Sequence, residues 1–274
     1  MAAIEPHLAR LPKPDDRWVP RSYDRDELRR ALIYGGMAGV VSHPLDNVLW
    51  KIGLLCDGDT DAQFGLSGVA GLEARDVLEL VAREAGFPPD HTARFGPVRV
   101  DPEKILQACE DLGDRLALAC ERGESVILAT GHPTGLPLLY IEVGRELATR
   151  GVELLRPMDG VKWEDPGKRG QRQIRYLHSV AVLAGHGMLR HTHSSRPMEQ
   201  MLQEVTPDLV VADHGFAGAA IEVGIDAVSI ADVNDPALIV AKAQGRTETV
   251  VVMDDNVQPD AYWPCFQAIV CRLP

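Results

Sequence analysis

The chain has 274 residues, 45% of them hydrophobic, and a formal net charge of −12 at pH 7. Such a length can form one large domain, or a domain with an appendage, around a substantial core. The acidic balance argues against wrapping nucleic acid or lying on an anionic membrane, and no apolar run reaches the ~18 residues of a membrane span.

The start, Met1 to Pro20, is polar and Pro-rich, without the apolar core of a signal peptide, so a cytoplasmic location is expected. The five cysteines are odd in number and show no paired metal spacing, which fits reduced thiols. Residues 1 to about 22 read as a surface arm. Asp24 to Ala38 has helical character, and Leu72 to Ala85 is a helix closed by Gly86. Between them, Ser42-His43-Pro44-Leu45-Asp46-Asn47 is a polar interruption before Val48-Leu49-Trp50. No strand alternation stands out before Ser125, so residues 1–100 are expected to be a mainly helical region packing on the core.

Asp101-Pro102 opens the next helix, with Asp as N-cap and Pro at the first position, and Gly123 ends it. Ser125 to Thr130 is a buried strand that feeds Gly131-His132-Pro133-Thr134-Gly135. A helix to about Arg150 and a strand over Val152 to Leu155 follow. Met158 to Gln173 reads as a long polar loop carrying Lys162, Lys168, Arg169 and Arg172, which would close over a substrate. Arg175 to Leu183 alternates as one strand, Met188 to His191 returns briefly, and Ser194-Ser195 with Pro197 starts another helix.

From Pro207 the chain repeats strand, loop, helix. Leu209 to Ala212 runs into Asp213-His214-Gly215, Ala227 to Ile230 into Asp232-Val233-Asn234-Asp235, and Val250 to Val252 into Asp254-Asp255-Asn256. Strands alternating with helices imply a parallel sheet, and such sheets bind ligands beyond the carboxyl ends of their strands. The expected fold is therefore α/β, a Rossmann-like, mostly parallel sheet flanked by helices over residues 101–274.

Acids delivered by separate strands to one edge repel one another unless a cation joins them. Asp213, Asp232 and Asp254 or Asp255, joined by Asn234, would offer oxygen ligands suited to Mg²⁺ or Mn²⁺. Asp235, just before Pro236, reads instead as a helix cap, and Asp260 as the cap of the last helix. The Gly131–Gly135 loop, with Gly131, Thr134 and Gly135, is either an anion cradle at a helix start or an ordinary strand–helix turn. Gly215 is either a second cradle or a tight packing point. His191 and His193 lie on one face of an extended segment, as metal ligands, a general acid, phosphate donors or an inert surface pair. Cys109 and Arg115 have Cys-x5-Arg spacing, but an acidic helix between them disfavours a thiolate.

The segments Ala129-Thr130-Gly131-His132-Pro133, His191-Thr192-His193-Ser194, Val211-Ala212-Asp213-His214-Gly215, Asn234-Asp235-Pro236-Ala237-Leu238 and Asp254-Asp255 together resemble, in this order, a bacterial family of similar length known simply as phosphatases. The resemblance covers most of the chain after the first hundred residues and, more weakly, Pro44 to Trp50. Asn256 stands where His is common in that family. A fold-level likeness extends to metal-dependent damage-control phosphatases, which pair a helical region with a Rossmann-like sheet.

Joined to the strand-end acids, the resemblance implies a metal-dependent phosphomonoesterase acting on a small phosphorylated metabolite, a sugar phosphate or a nucleotide. Mg²⁺ or Mn²⁺ would sit on Asp213, Asp232, Asn234, Asp254 and Asp255. Gly131, Thr134, Gly135, Gly215 and Lys162 would hold the phosphate, Asp213 would join the catalytic set, and His132, His193 or His214 would protonate the leaving alkoxide. The N-terminal region would supply Asp46 or Asn47. The competing readings are a nucleotide-binding module without hydrolysis and a metal-dependent isomerase, lyase or phosphotransferase on the same residues.

Overall fold

The computed structural model describes residues 16–164 and 170–274. The first part of the expected surface arm, and Lys168 and Arg169 of the expected lid, lie outside the described residues. In chain order the elements are α1 (Arg25–Tyr34), β1 (Gly39–Val40), α2 (Leu45–Cys56), α3 (Ala74–Ala85), β2 (Arg99–Val100), α4 (Pro102–Arg122), β3 (Ser125–Thr130), α5 (Pro137–Thr149), β4 (Glu153–Leu154) and β5 (Lys162–Glu164). There follow β6 (Gln171–Leu177), β7 (Val180–Gly185), β8 (Met188–Leu189), α6 (Arg196–Glu204), β9 (Leu209–Asp213), α7 (His214–Glu222), β10 (Asp226–Asp232), α8 (Ala237–Ala243), β11 (Thr249–Met253) and α9 (Trp263–Val270).

The main sheet runs β11-β10-β9-β3-β7-β6-β5, with β4 beside the start of β3 and β8 beside β7. The pairings from β11 across to β7 are parallel, and those of β5, β6 and β8 are antiparallel. Strands β9 and β11 are buried along their whole length, as continuous apolar runs in a sheet covered on both faces must be. Helix α9 packs against both α4 and α5, and α6, α7 and α8 pack in succession. One cluster of buried apolar residues extends from Leu28 to Val270, so the N-terminal helices and the sheet share a core. Each large side chain in it contributes about 1.5–3 kcal/mol by leaving water.

Local signals explain the boundaries. Asp101 accepts from the Glu103 N–H at 2.9 Å to cap α4, and Gly123, at φ 64°, ends it. Among the described residues before β3, helices α1 to α4 are joined by loops and the short antiparallel pair β1–β2. The expected loop over Met158 to Gln173 is instead part of a hairpin, since Lys162–Glu164 pairs with Gln171–Gln173. The single strand expected over Arg175 to Leu183 is two, β6 and β7, joined at His178, which takes φ 53°. Neither Asp235 nor Asp260 caps a helix: α8 and α9 have no side-chain cap. The end of the expected arm is tied down, because the Gln267 amide donates to Arg17 O and Val19 O at 2.7 and 2.8 Å and Trp18 packs on Phe266. The cysteines are free thiols, and Arg115 is paired with Glu124 and Asp226, a structural role. Among the described residues no helix is long and apolar enough to cross a membrane.

Candidate active site

Parallel register brings the strand ends together. Ile230 of β10 lies opposite Asp213, and Asp232 lies opposite Met253, so β9, β10 and β11 deliver their acids side by side. Beyond β3, the N–H of Thr192 donates to Gly131 O at 2.9 Å, which lays the His191–Ser194 segment across the same edge. Two glycines make this approach possible. A Cβ on Gly131 would fall 2.3 Å from Thr192 O, and one on Gly215 would fall 2.3 Å from His193 O. The chain itself therefore occupies the space in front of both glycines.

Two groups of ligand-type side chains result. In the first, His43 Nε2 lies 3.0 Å from Asp232 Oδ2 and 3.9 Å from Asp254 Oδ1. One donor atom from each of these three residues falls within 4.8 Å of the others. Backbone amides orient the carboxylates: Asn234 N–H donates to Asp232 Oδ1 at 3.2 Å, and Ser42 and Asn256 N–H donate to the two Asp254 oxygens at 2.6 and 3.0 Å. The Asn234 amide nitrogen lies 3.1 Å from His43 Nδ1 and 2.8 Å from Asn47 Oδ1, tying the N-terminal region to the sheet edge. His43 is raised above its ordinary value, chiefly by Asp232, with burial opposing and Asp254 assisting. Despite the short distance, His43 Nε2 is buried without an aligned hydrogen bond. One nitrogen without a well-placed hydrogen-bond partner, set beside two carboxylates, could hold a divalent cation. Beside them, burial first and then the charge of Asp232 push the Asp255 carboxyl well up.

The second group is His191, His193 and His214, again with ligand atoms within 4.8 Å of one another. His214 is buried in a left-handed conformation, φ 45°, which is costly for a side chain of this size and typical of functional sites. Its Nδ1 lies 2.8 Å from Asp213 Oδ1 and its Nε2 3.3 Å from Asp235 Oδ2. Burial would lower His214, but the hydrogen bonds to Asp213 and Asp235 outweigh it and raise it well above the ordinary value. Burial, reinforced by His214, lowers His191 and His193 to about 4, so both carry free lone pairs at neutral pH. His193 stacks on His214 with ring centroids 4.8 Å apart, and Phe64 presents its edge to both. His132 joins the two groups: its ring is 5.2 Å from that of His191, and its Nδ1 is 3.7 Å from Asp255 Oδ1.

The residues singled out in the sequence fall in different places. Asp232, Asp254, Asp255 and Asn234 are together with His43, while His132, His193 and His214 are together with Asp213. Asp213 is not among the clustered ligand atoms of the first group, and its Oδ1 accepts from Gly131 N–H at 2.7 Å and from His214. That bond occupies the Gly131 amide, and the His132 amide donates to Thr130 Oγ1 at 2.9 Å, so neither is offered to a phosphate. Gly135 is buried, with space for a Cβ closed by Asp255 O at 3.1 Å, and Thr134 is exposed. Gly215 serves close packing. Lys162 lies on the outermost strand and lines a separate pocket with Gly170, Arg172 and His186. The cation at the site is Lys51, whose Nζ is 3.0 Å from Asp235. His43, Lys51 and Asp235 were not anticipated as site residues. Their only signal was the polar break from Ser42 to Asn47 and a second acid after Asp232.

A mostly parallel α/β sheet with acids and histidines converging beyond its strand ends defines a Rossmann-like enzyme fold with its site at the carboxyl edge. The family model described as Phosphatase matches residues 23–273. A curated protein of Streptomyces coelicolor, Phosphatase SCO2771, is 34% identical over 252 residues, covering 89% of this chain and 94% of that protein. The chain belongs to the Phosphatase family.

Proposed function

We propose that this phosphatase is a metal-dependent phosphomonoesterase acting on a small phosphorylated metabolite, a sugar phosphate or a nucleotide. The observation that carries the reading is the convergence of His43, Asp232 and Asp254, with one donor atom from each within 4.8 Å. One nitrogen with two carboxylates suits Mn²⁺ better than Mg²⁺, which prefers oxygen alone. A divalent ion held there would stabilise charge developing on a phosphate oxygen.

The chain's own residues supply the rest. Lys51, paired with the buried Asp235 at 3.0 Å, keeps that carboxylate from adding to the negative charge an anionic substrate meets. Burial holds His132 below its ordinary value, and His132 lies between the two groups, where it can exchange a proton with the leaving oxygen. Asp213 fixes His214, which in turn supports His193. The alcohol portion has a receptacle: a cavity of about 1050 Å³ opens beside Ser42 and Asp254, walled by Arg30, Tyr34 and Trp263. That volume admits a group as large as a nucleoside. Family membership favours hydrolysis over a binding module that leaves its nucleotide intact.

The test is phosphate release from a panel of sugar phosphates and nucleotides with Mn²⁺, with Mg²⁺ and with chelator. Release that needs metal, and that falls at least about 100-fold in Asp232→Asn and Asp254→Asn, is expected. Release indifferent to chelator and to both substitutions would overturn the reading.

A further inference from the structure

Three imidazoles crowd one end of the sheet, and the acid group at His43 does not use them. Among the described residues, neither His191 nor His193 makes a hydrogen bond through its ring. Their neighbours there are other histidines: centroids lie 5.0 Å apart between His191 and His193, 5.1 Å between His191 and His214, and 4.8 Å between His193 and His214. Phe64 also packs against His193 and His214, but every ring contact of His191 among the described residues is to another histidine. Among the three, His191 is the most exposed and His214 the most buried, so the group runs inward from the surface.

We propose that His191, His193 and His214 form a second divalent-cation site, nitrogen-rich and suited to Zn²⁺ or another first-row transition metal rather than to Mg²⁺. The ligand atoms already lie within 4.8 Å of one another, against a spacing of about 3.3 Å in a tetrahedral Zn–imidazole site, so modest rotation of the rings completes the set. The scaffold is built for this. Asp213 holds Nδ1 of His214 at 2.8 Å, which orients the ring and leaves Nε2, now against Asp235, as its nitrogen for a metal, the carboxylate–histidine arrangement that supports metal ligands. Asp235 Oδ2, 3.3 Å from that Nε2, supplies a fourth donor, and Lys51 on its other oxygen balances its charge. Ligation displaces the Nε2 proton of His214 to solvent. Phe64 braces two of the rings from behind.

With the His43 group, the centre then takes two metals from chemically different donor sets. This deepens the proposed metal-dependent hydrolysis and rests on it for its catalytic meaning, but the binding itself is independent of it. The experiment is metal counting. The chain is stripped with chelator, loaded by dialysis against Zn²⁺ or Mn²⁺, and its bound metal is determined by mass spectrometry, with folding of each variant checked by circular dichroism. Two equivalents are expected for the wild type and one for His193→Ala. The exposed His191→Gln, which has little packing to lose, is expected to lose the same equivalent, and Asp254→Asn the other. Substitution with Co²⁺ gives a second readout, a visible band of a nitrogen-rich site that His191→Gln abolishes and Asp254→Asn keeps. Wild-type protein binding a single equivalent that His191→Gln leaves in place would overturn the second site while leaving the phosphatase reading intact. Two equivalents without phosphate release from any substrate would do the reverse.

Discussion

Asp213 and His214 are adjacent in sequence and joined through their side chains, with Oδ1 of the first 2.8 Å from Nδ1 of the second. The same oxygen accepts from Gly131 N–H at 2.7 Å, so one carboxylate links the ends of β3 and β9 to the histidine group. Its role is positioning. Asp213→Asn keeps an acceptor but loses the charge, and activity is expected to fall about 10- to 100-fold, with Asp213→Ala lower still. Metal content measured beside phosphate release checks it: the loss should appear as weaker retention of the metal at the histidine group.

Asn234 orients His43 by donating to its Nδ1, the opposite sense to Asp213, which accepts from Nδ1 of His214. Its amide lies between His43 Nδ1 and Asn47 Oδ1. Asn234→Ala should raise the Mn²⁺ concentration needed for half-maximal activity about 10-fold, while a saturating metal concentration restores most of the rate. A metal titration of the initial rate reads this directly. An unchanged midpoint would show that Asn234 does not orient the ligand.

Gly218 on α7 stands against the loop that carries Phe64. A Cβ there would lie 2.0 Å from the Phe64 carbonyl oxygen, and backbone cannot step aside as a flexible side chain can. Gly218→Ala is expected to cost about 1–3 kcal/mol in denaturant unfolding. It should also depress activity, because displacing Phe64 removes the brace behind His193 and His214.

The same loop is anchored by Glu222, which accepts from the Ser67 hydroxyl at 2.6 Å, from the Ser67 N–H at 2.8 Å and from Arg246. Burial pushes its carboxyl up, but these bonds overcome it and hold it at about 2 against an ordinary 4.5. A depressed folded-state value contributes stability that is fully present above the unfolded value and lost as pH falls through the folded one. Thermal midpoints should therefore decline as pH drops from about 4.5 toward 2, and Glu222→Gln should flatten that part of the profile. Parallel profiles for the two proteins would show that Glu222 has no part in the acid response.

The parallel half of the fold was legible because buried strands read as apolar runs, and β9, β10 and β11 each lead into an acid. The caps of α4 were legible because Asp101, Pro102 and Gly123 act through local backbone geometry. The β5–β6 hairpin was not: Lys162–Glu164 lies on an edge and carries two exposed charged residues, which resemble a loop. Asp232, Asp254 and Asp255 announced themselves as strand ends, but His43 did not, since tertiary folding alone brings its loop to Asp232. Asp235 misled because Pro236 follows it, and local capping chemistry offered a ready account. Its burial against Lys51 and His214 depends on segments far away in sequence.

The distance along the chain between His43 and Asp254 has a consequence for biogenesis. The amide of Asp254 donates to Met37 O at 3.2 Å, and its carboxylate accepts from Ser42, so the two ends of the polypeptide close the site between them. Bringing such segments together costs loop entropy that local contacts cannot repay, which makes this a late event in folding. A nascent chain on the ribosome can build its helices and inner strands while it remains catalytically silent. On the proposed site, competence would arrive only after β11 has emerged and the residues beyond it have met the loop that carries His43.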